Sequence, residues 1–425
     1  MAQNVINYLM SCMSCMSCFP RPTTLKINRF NFKILRLLGE RNRKSAVPLT
    51  IRSQGGFSYV YLIQDTSNGA LYALKKIRCL FGQESVLLAM KEVEAYSLFS
   101  PHPNIIQCID HAILSEGSDP NTKTVYIVLP YFRRGNLQDT INANLVNHTE
   151  FPEKNLMIIF LGVCRALKAM HQHRSRGNRE KKDKQDSEIP NHSGTRTVKG
   201  TIINKAKKEG ANKSTDSDSD SEQQKLLTEE EPTLDQEEAN LGGLNAYAHR
   251  DIKPGNIMID DDGERPILMD LGSVAPSPIT ITSRSQALAV QDIAAEHSTM
   301  PYRAPELFDV RTGSIIDTKV DIWSLGCTLY ACLVGKSPFE MRSDETGGSL
   351  SICILSGDWR FPDEDAGGKK TKTNAPERPV IDLSSSIRNI VRKCLKVEPT
   401  ERPDIDDLIS IVEDIISKFN EDGSS

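Results

Sequence analysis

The string "AHRDIKPGNIMI", residues 248–259, sets a carboxylate (Asp251), an ammonium (Lys253) and an amide (Asn256) close together in the chain. A second carboxylate, Asp270, follows in "LMDLGS", and a lysine, Lys75, stands far upstream in "YALKK". Carboxylate and amide oxygens are hard donors, which suit Mg²⁺ better than softer metals. With an ammonium they make the set that phosphoryl chemistry needs, because the oxygens of a moving phosphoryl group must be neutralised while a hydroxyl is held in line. Soft donors cluster at the start of the chain, where "SCMSCMSCFP", residues 11–20, carries Cys12, Cys15 and Cys18.

In order with "STMPYRAPELF" and "DIWSLGCTLY", the strings around Asp251 and Asp270 resemble the protein-kinase signature set, at that family's spacing. One short motif would be weak evidence, whereas four in register are specific. The resemblance implies a use for each residue. Asp251 accepts the proton of a substrate hydroxyl and aims it, and Lys253 reaches the transferring phosphate, as in serine/threonine rather than tyrosine kinases. Asn256 and Asp270 hold Mg²⁺ against ATP, and Leu271 turns DFG into DLG, a packing variation that leaves the ligand in place. Lys75 meets the α- and β-phosphates. Its ion-pair partner is Glu92 in "MKEVEAYSLF", with Glu94 as nearby competitor, and Lys76 and Glu94 read equally as solvated surface charges.

"VLPYFRRGNL" resembles the hinge, with Leu129 as gatekeeper and the adenine meeting backbone groups of Pro130 and Phe132. Proline is tolerated at the first of these because only its carbonyl is needed. Val60 and Ala73 above the base and Met258 below it supply an apolar slot. Thr299 and Tyr302 match the segment that docks a serine or threonine acceptor. Glu306 and Arg402 resemble the buried ion pair that locks that segment, and Asp321 the residue that holds the catalytic loop by its backbone amides.

The closer resemblance is to the acylated branch of the Numb-associated serine/threonine kinases, carried by "LMDLGSV", "ALAVQDIAAEHSTMPYRAPELF" and "IDTKVDIWSLGCTLYACLVGKSPFE". It reaches from about Phe32 to about Phe419 apart from insertions. It implies ATP and Mg²⁺ as cofactors, protein substrates with serine or threonine acceptors, autophosphorylation, and a helical stretch between Asp270 and Glu306. It further implies residence on the cytoplasmic face of endomembranes, the vacuolar membrane first and the Golgi second, with a role in membrane trafficking or fusion.

These residues need elements to position them. Strand-like runs from Phe32 onward ("FKILRLLG", "YVYLIQD", "LYALKKI", "TVYIVLP") alternate with turn signals and predict a mostly antiparallel sheet. Beyond Leu137 longer helical periods take over, as in "EKNLMIIFLGVCRALKAMH". The expected fold is therefore α+β, a two-lobed protein kinase: a leader over 1–31, an N-lobe over 32–130, a C-lobe over 131–419 and a tail over 420–425. Residues 174–245 lack aromatic bulk before Asn245, begin basic and end acidic, and predict a disordered insertion. A second insertion, 41–54, interrupts the glycine-rich loop; without it Gly39, Gly55 and Ser58 would fall into a complete "LLGEGGFSYVYL". Either the insertion is real and weakens the phosphate clamp, or it is translated non-coding sequence. A weakened clamp is the one feature favouring a non-catalytic scaffold on the same fold.

A formal charge of -4 gives no field that points to nucleic acid. Most remaining cysteines lie in apolar runs, as reduced core thiols do. No apolar run approaches the roughly 20 residues of a spanning helix, so any membrane attachment is expected to be peripheral. For Cys12, Cys15 and Cys18 a metal site lacks a nearby fourth ligand, since no Cys or His follows before Cys79 and His102. A disulfide across two intervening residues would be a strained ring. S-palmitoylation fits an acid-free, basic leader, and several acyl chains compensate for Ala2, which precludes the N-myristoyl glycine of animal relatives.

Overall fold

The computed structural model describes residues 24–41, 58–80, 82–115, 122–174, 245–364 and 385–422. Gly55, Cys12, Cys15, Cys18 and nearly all of both insertions lie outside the described residues. The chain divides into two units, residues 1–173 with 245–425, and residues 174–244. The first unit carries everything below.

Six strands form one antiparallel sheet: β1 (Thr24–Ile27), β2 (Phe30–Arg41), β3 (Ser58–Asp65), β4 (Leu71–Cys79), β5 (Asp110–Ser115) and β6 (Lys123–Pro130), in the order β1-β2-β3-β4-β6-β5. The period-two alternation decides the faces. Ile27, Phe32, Ile63, Leu74 and Val128 pack together on one side. Lys75 and Ala73, out of phase with Leu74, fall on the other side, toward helix α1 (Gly82–Leu98). The two edges approach each other, and Asn28 joins them by donating to Asp110 Oδ1 and to the His111 carbonyl.

The folded part begins earlier than Phe32. Residues 24–27, assigned to the leader on composition, pair with β2 as an edge strand, because Leu25 and Ile27 alternate correctly to join the apolar face. The hairpin of β2 and β3 keeps its register up to Arg41 opposite Ser58, so Arg41 belongs to a strand rather than to the insertion.

The second part is helical: α2 (Leu137–Asn147), α3 (Glu153–His171), α4 (Arg284–His297), α5 (Lys319–Val334), α6 (Pro338–Thr346), α7 (Leu350–Ser356), α8 (Ser385–Cys394) and α9 (Ile405–Asp422). Asn136 starts α2 through a reciprocal capping box with Asp139. Helix α5 is buried all round, from Val320 to Val334, which makes it the axis of this lobe. Helix α9 runs to Asp422, past the expected boundary at 419. Asn245 also belongs to the folded unit, since its N–H donates to the His173 carbonyl. Short strands lie between the helices: β7 (Ala246–Ala248) with β10 (Ala275–Ser277), β8 (Ile257–Ile259) with β9 (Pro266–Leu268), and β11 (Ile279–Thr280) with β12 (Ile315–Ile316). The whole is the α+β, two-lobed kinase fold: a sheet-rich N-terminal region followed by a helical C-terminal one. Among the described residues no helix is long and apolar enough to cross a membrane.

Candidate active site

The β8–β9 hairpin explains the spacing of the chemical residues. Asn256 ends the turn before β8 and Asp270 follows β9 closely; pairing of Ile257 with Leu268 brings the two together, and the Met269 N–H donates to the Asn256 carbonyl. Both flanks carry left-handed backbone at non-glycine residues, φ 68 at Arg250 and φ 59 at Asp270. Such conformations are costly and persist where surrounding bonds enforce them.

Asp321 enforces the first. From the first turn of α5 its Oδ2 accepts the His249 N–H at 2.7 Å and its Oδ1 the Arg250 N–H at 2.8 Å, while His171 Nε2 lies 3.0 Å from Oδ2. Burial alone would raise the Asp321 carboxyl, but the His171 hydrogen bond, the neighbouring His171 and His249 rings and the Arg250 amide outweigh it and hold the group below the ordinary value. His249 accepts the Asp251 N–H at Nδ1, so its proton sits on Nε2, facing the Met269 carbonyl at 3.1 Å.

Asp251 is saturated with donors. Its Oδ1 accepts the Thr299 N–H at 2.9 Å and the Thr299 hydroxyl at 2.7 Å; its Oδ2 accepts Lys253 Nζ at 2.8 Å and Asn256 Nδ2 at 3.0 Å. Lys253 Nζ also donates to Thr299 Oγ1 at 2.6 Å. On the facing lobe Lys75 Nζ lies 2.6 Å from Glu92 Oε1 and 2.9 Å from Asp270 Oδ1. Burial would lower the Lys75 ammonium, yet the charges of Asp270 and Glu92 prevail and raise it. Glu92 is the helix residue that meets Lys75, while Glu94 points to solvent.

The remaining residues fall around this pair of clusters. Val60 stands opposite Gly39 and Lys75, Ala73 opposite Leu129, and Pro130 opposite Tyr72. Buried Ser58 opens β3. Phe132, Ala73 and Met258 pack against the main core. Arg402 grips Glu306 with both terminal nitrogens, at 2.7 and 2.9 Å, and lies over the Trp323 ring. Reasoning from sequence missed His171 and Tyr96. No motif marks His171, but Tyr96 stands one helical turn after Glu92, and its phenol donates to Glu92 Oε1.

A comparison with family models matches residues 53–175 and 244–411 to the protein kinase domain. The chain belongs to the protein kinase family. The kinase is 33% identical to serine/threonine-protein kinase ENV7 of Saccharomyces cerevisiae over 92% of this chain and 94% of that protein. Identity to serine/threonine-protein kinase ppk13 of Schizosaccharomyces pombe is 32%, over 91% of each. Human serine/threonine-protein kinase 16 is 29% identical, over 85% of this chain and 87% of its own. The kinase is a serine/threonine protein kinase of the Numb-associated group, using ATP and a divalent metal and acting on proteins.

The donor set fits that metal. Asn256 spends its amide nitrogen on Asp251, which leaves its oxygen available, and Asp270 adds a carboxylate. No group of three or more His, Cys, Asp or Glu that could hold a metal occurs among the described residues.

Proposed function

We propose that this kinase phosphorylates serine and threonine hydroxyls of protein substrates, and its own, from Mg²⁺-ATP, while held peripherally on an endomembrane by S-acyl chains. Bound Mg²⁺-ATP supplies the γ-phosphoryl group with its charge partly offset. Asp251 takes the acceptor's proton at Oδ1, and the Thr299 hydroxyl resting there supports this reading. Lys253 keeps the carboxylate aimed and adds positive charge beside it. Asn256 and Asp270 would hold the metal. Lys75, with one N–H on Glu92 and one on Asp270, keeps a third for a phosphate oxygen. Gly39 and Ser58, with Gly55 as the loop's expected third member, would cover the phosphates; Val60, Ala73 and Met258 would enclose the base, which would meet the backbone of Pro130 and Phe132.

The observation that carries the reading is the convergence of Lys75 on both Glu92 and Asp270. Removing a charge that stabilises the transition state costs at least about a hundredfold in rate. Asp270→Asn is therefore expected to abolish measurable autophosphorylation; equal label in wild type and variant would sink the assignment.

The membrane part rests on Cys12, Cys15 and Cys18 in a leader without acidic residues. One acyl chain binds a bilayer marginally, whereas two or three, at about 0.8 kcal/mol per buried methylene, hold firmly. Replacing all three with serine is expected to move the kinase from the membrane pellet to the supernatant. Residence on the vacuolar membrane, with the Golgi as second site, and a part in trafficking or fusion extend this proposal.

A further inference from the structure

We infer that Tyr96 is a positioning residue for the nucleotide: by donating to Glu92 it fixes the carboxylate that grips Lys75. The inference rests on the reading of Lys75 and Glu92 given above.

Tyr96 is 1% exposed and Glu92 6%. They stand one turn apart on α1, where side chains at i and i+4 meet. The phenol oxygen lies 2.7 Å from Glu92 Oε1, the same oxygen that Lys75 Nζ approaches at 2.6 Å. The other oxygen is wedged against the backbone after Asp270, for a Cβ at Gly272 would come within 3.2 Å of Glu92 Oε2. The carboxylate is thus held on both sides, and its Oε1 serves two donors.

Packing alone does not account for the hydroxyl. Tyr96 belongs to the main apolar core with Val93, Ile105 and Leu271, where phenylalanine would fill nearly the same space. A buried polar group is costly without a partner and useful with a charged one. Burial, then the charges of Glu92 and Asp270, push the phenol well above its ordinary value, so it is a donor near neutral pH.

The geometry also separates the two partners of Glu92 by origin. Lys75 comes from β4, and its grip depends on how α1 seats against the sheet. Tyr96 comes from α1 itself, so its bond survives any rigid movement of the helix. When the third N–H of Lys75 reaches a phosphate oxygen, Tyr96 keeps the Glu92 carboxylate aimed at Lys75. Loss of the phenol leaves Glu92 free to swivel, and Lys75 is then poorly placed for ATP.

The test is Tyr96→Phe in the full chain, read by ATP titration with acceptor saturating, by binding of a fluorescent ATP analogue, and by thermal melting. A hydrogen bond to a charged group is worth about tenfold or more in affinity. The expected result is a fall of about tenfold in kcat/KM for ATP, mostly through KM, with a cooperative melt retained and lowered by no more than about 6 °C. In a Glu92→Met background, which has no acceptor for the phenol, Tyr96→Phe should add nothing to the loss of ATP-analogue binding, since two residues acting through one contact are not additive. Unchanged ATP parameters would overturn the inference, and so would an equal drop in the Glu92→Met background, which would assign the effect to packing. Lys75→Met separates this from the site reading. If that variant binds and turns over ATP normally, the reading of the site fails; if it is dead while Tyr96→Phe is fully active, only Tyr96 is overturned.

Discussion

Asp321 touches no reacting atom, yet the turn that presents Asp251 depends on it, because two consecutive amides and His171 share its carboxylate. Leaving one side of a buried polar network unpaired costs about 3 kcal/mol or more. Asp321→Asn is expected to lower unfolding free energy by about that amount in urea titration and to reduce kcat, while KM for ATP changes little. The folded carboxyl lies below its ordinary value of 3.8, so its contribution is complete above that value and is lost as pH falls through the lower folded one. Melting temperature followed below about pH 5 should therefore fall more steeply in wild type than in Asp321→Asn. Motif and residue type made Asp251, Lys253, Asn256, Asp270 and Asp321 legible as a set. The choice of Glu92 over Glu94 needed a count along the helix, and the structure gives its reason: Glu92 lies on the buried face of α1.

At the scale of elements, two glycines let side chains of a neighbouring element pack directly on a helix backbone. A Cβ on Gly326 of α5 would stand 2.5 Å from Cys394 Cβ and 3.1 Å from Leu395 Cδ2, and one on Gly162 of α3 would stand 2.5 Å from Pro266 Cγ. Because a Cβ is fixed to the helix, α8 must give way, which costs about 1–3 kcal/mol. Gly326→Ala should lose that much in chemical denaturation while ATP affinity stays near wild type. The strands β2, β3, β4 and β6 were readable from alternation, and α3 from its 3.6-residue period. β1 was not, since a four-residue edge strand has too few positions for its alternation to stand out from a basic leader. The end of α9 was placed short for a related reason: polar residues after Phe419 continue the helix without adding to its apolar face.

At the scale of the whole molecule, the break between His173 and Asn245 closes on itself. The Asn245 N–H meets the His173 carbonyl at 2.9 Å, and the rings of Phe99, His173 and Tyr247 pack edge to face at 5.4–5.7 Å. Closing a long connection costs only logarithmically more than closing a short one. Excising residues 175–244 and joining the ends through a short Gly-Ser linker is therefore expected to leave kinase activity intact and to raise stability by up to about 2 kcal/mol. Loss of the cooperative melt would mean that this stretch is needed for the folded unit.

The amino-acid order by itself singled out the candidate catalytic side chains, the two-lobed class and the break in the C-lobe, because motifs, periodicity and composition are local properties of a chain. Tertiary structure alone decided which of those side chains meet. Lys75 and Asp270 are 195 positions apart and come within 2.9 Å only because α1 packs against the sheet and the β8–β9 hairpin turns Asp270 toward it. It also brought Tyr96 to Glu92 and His171 to Asp321, since a buried hydrogen bond between residues of ordinary type leaves no pattern in the sequence.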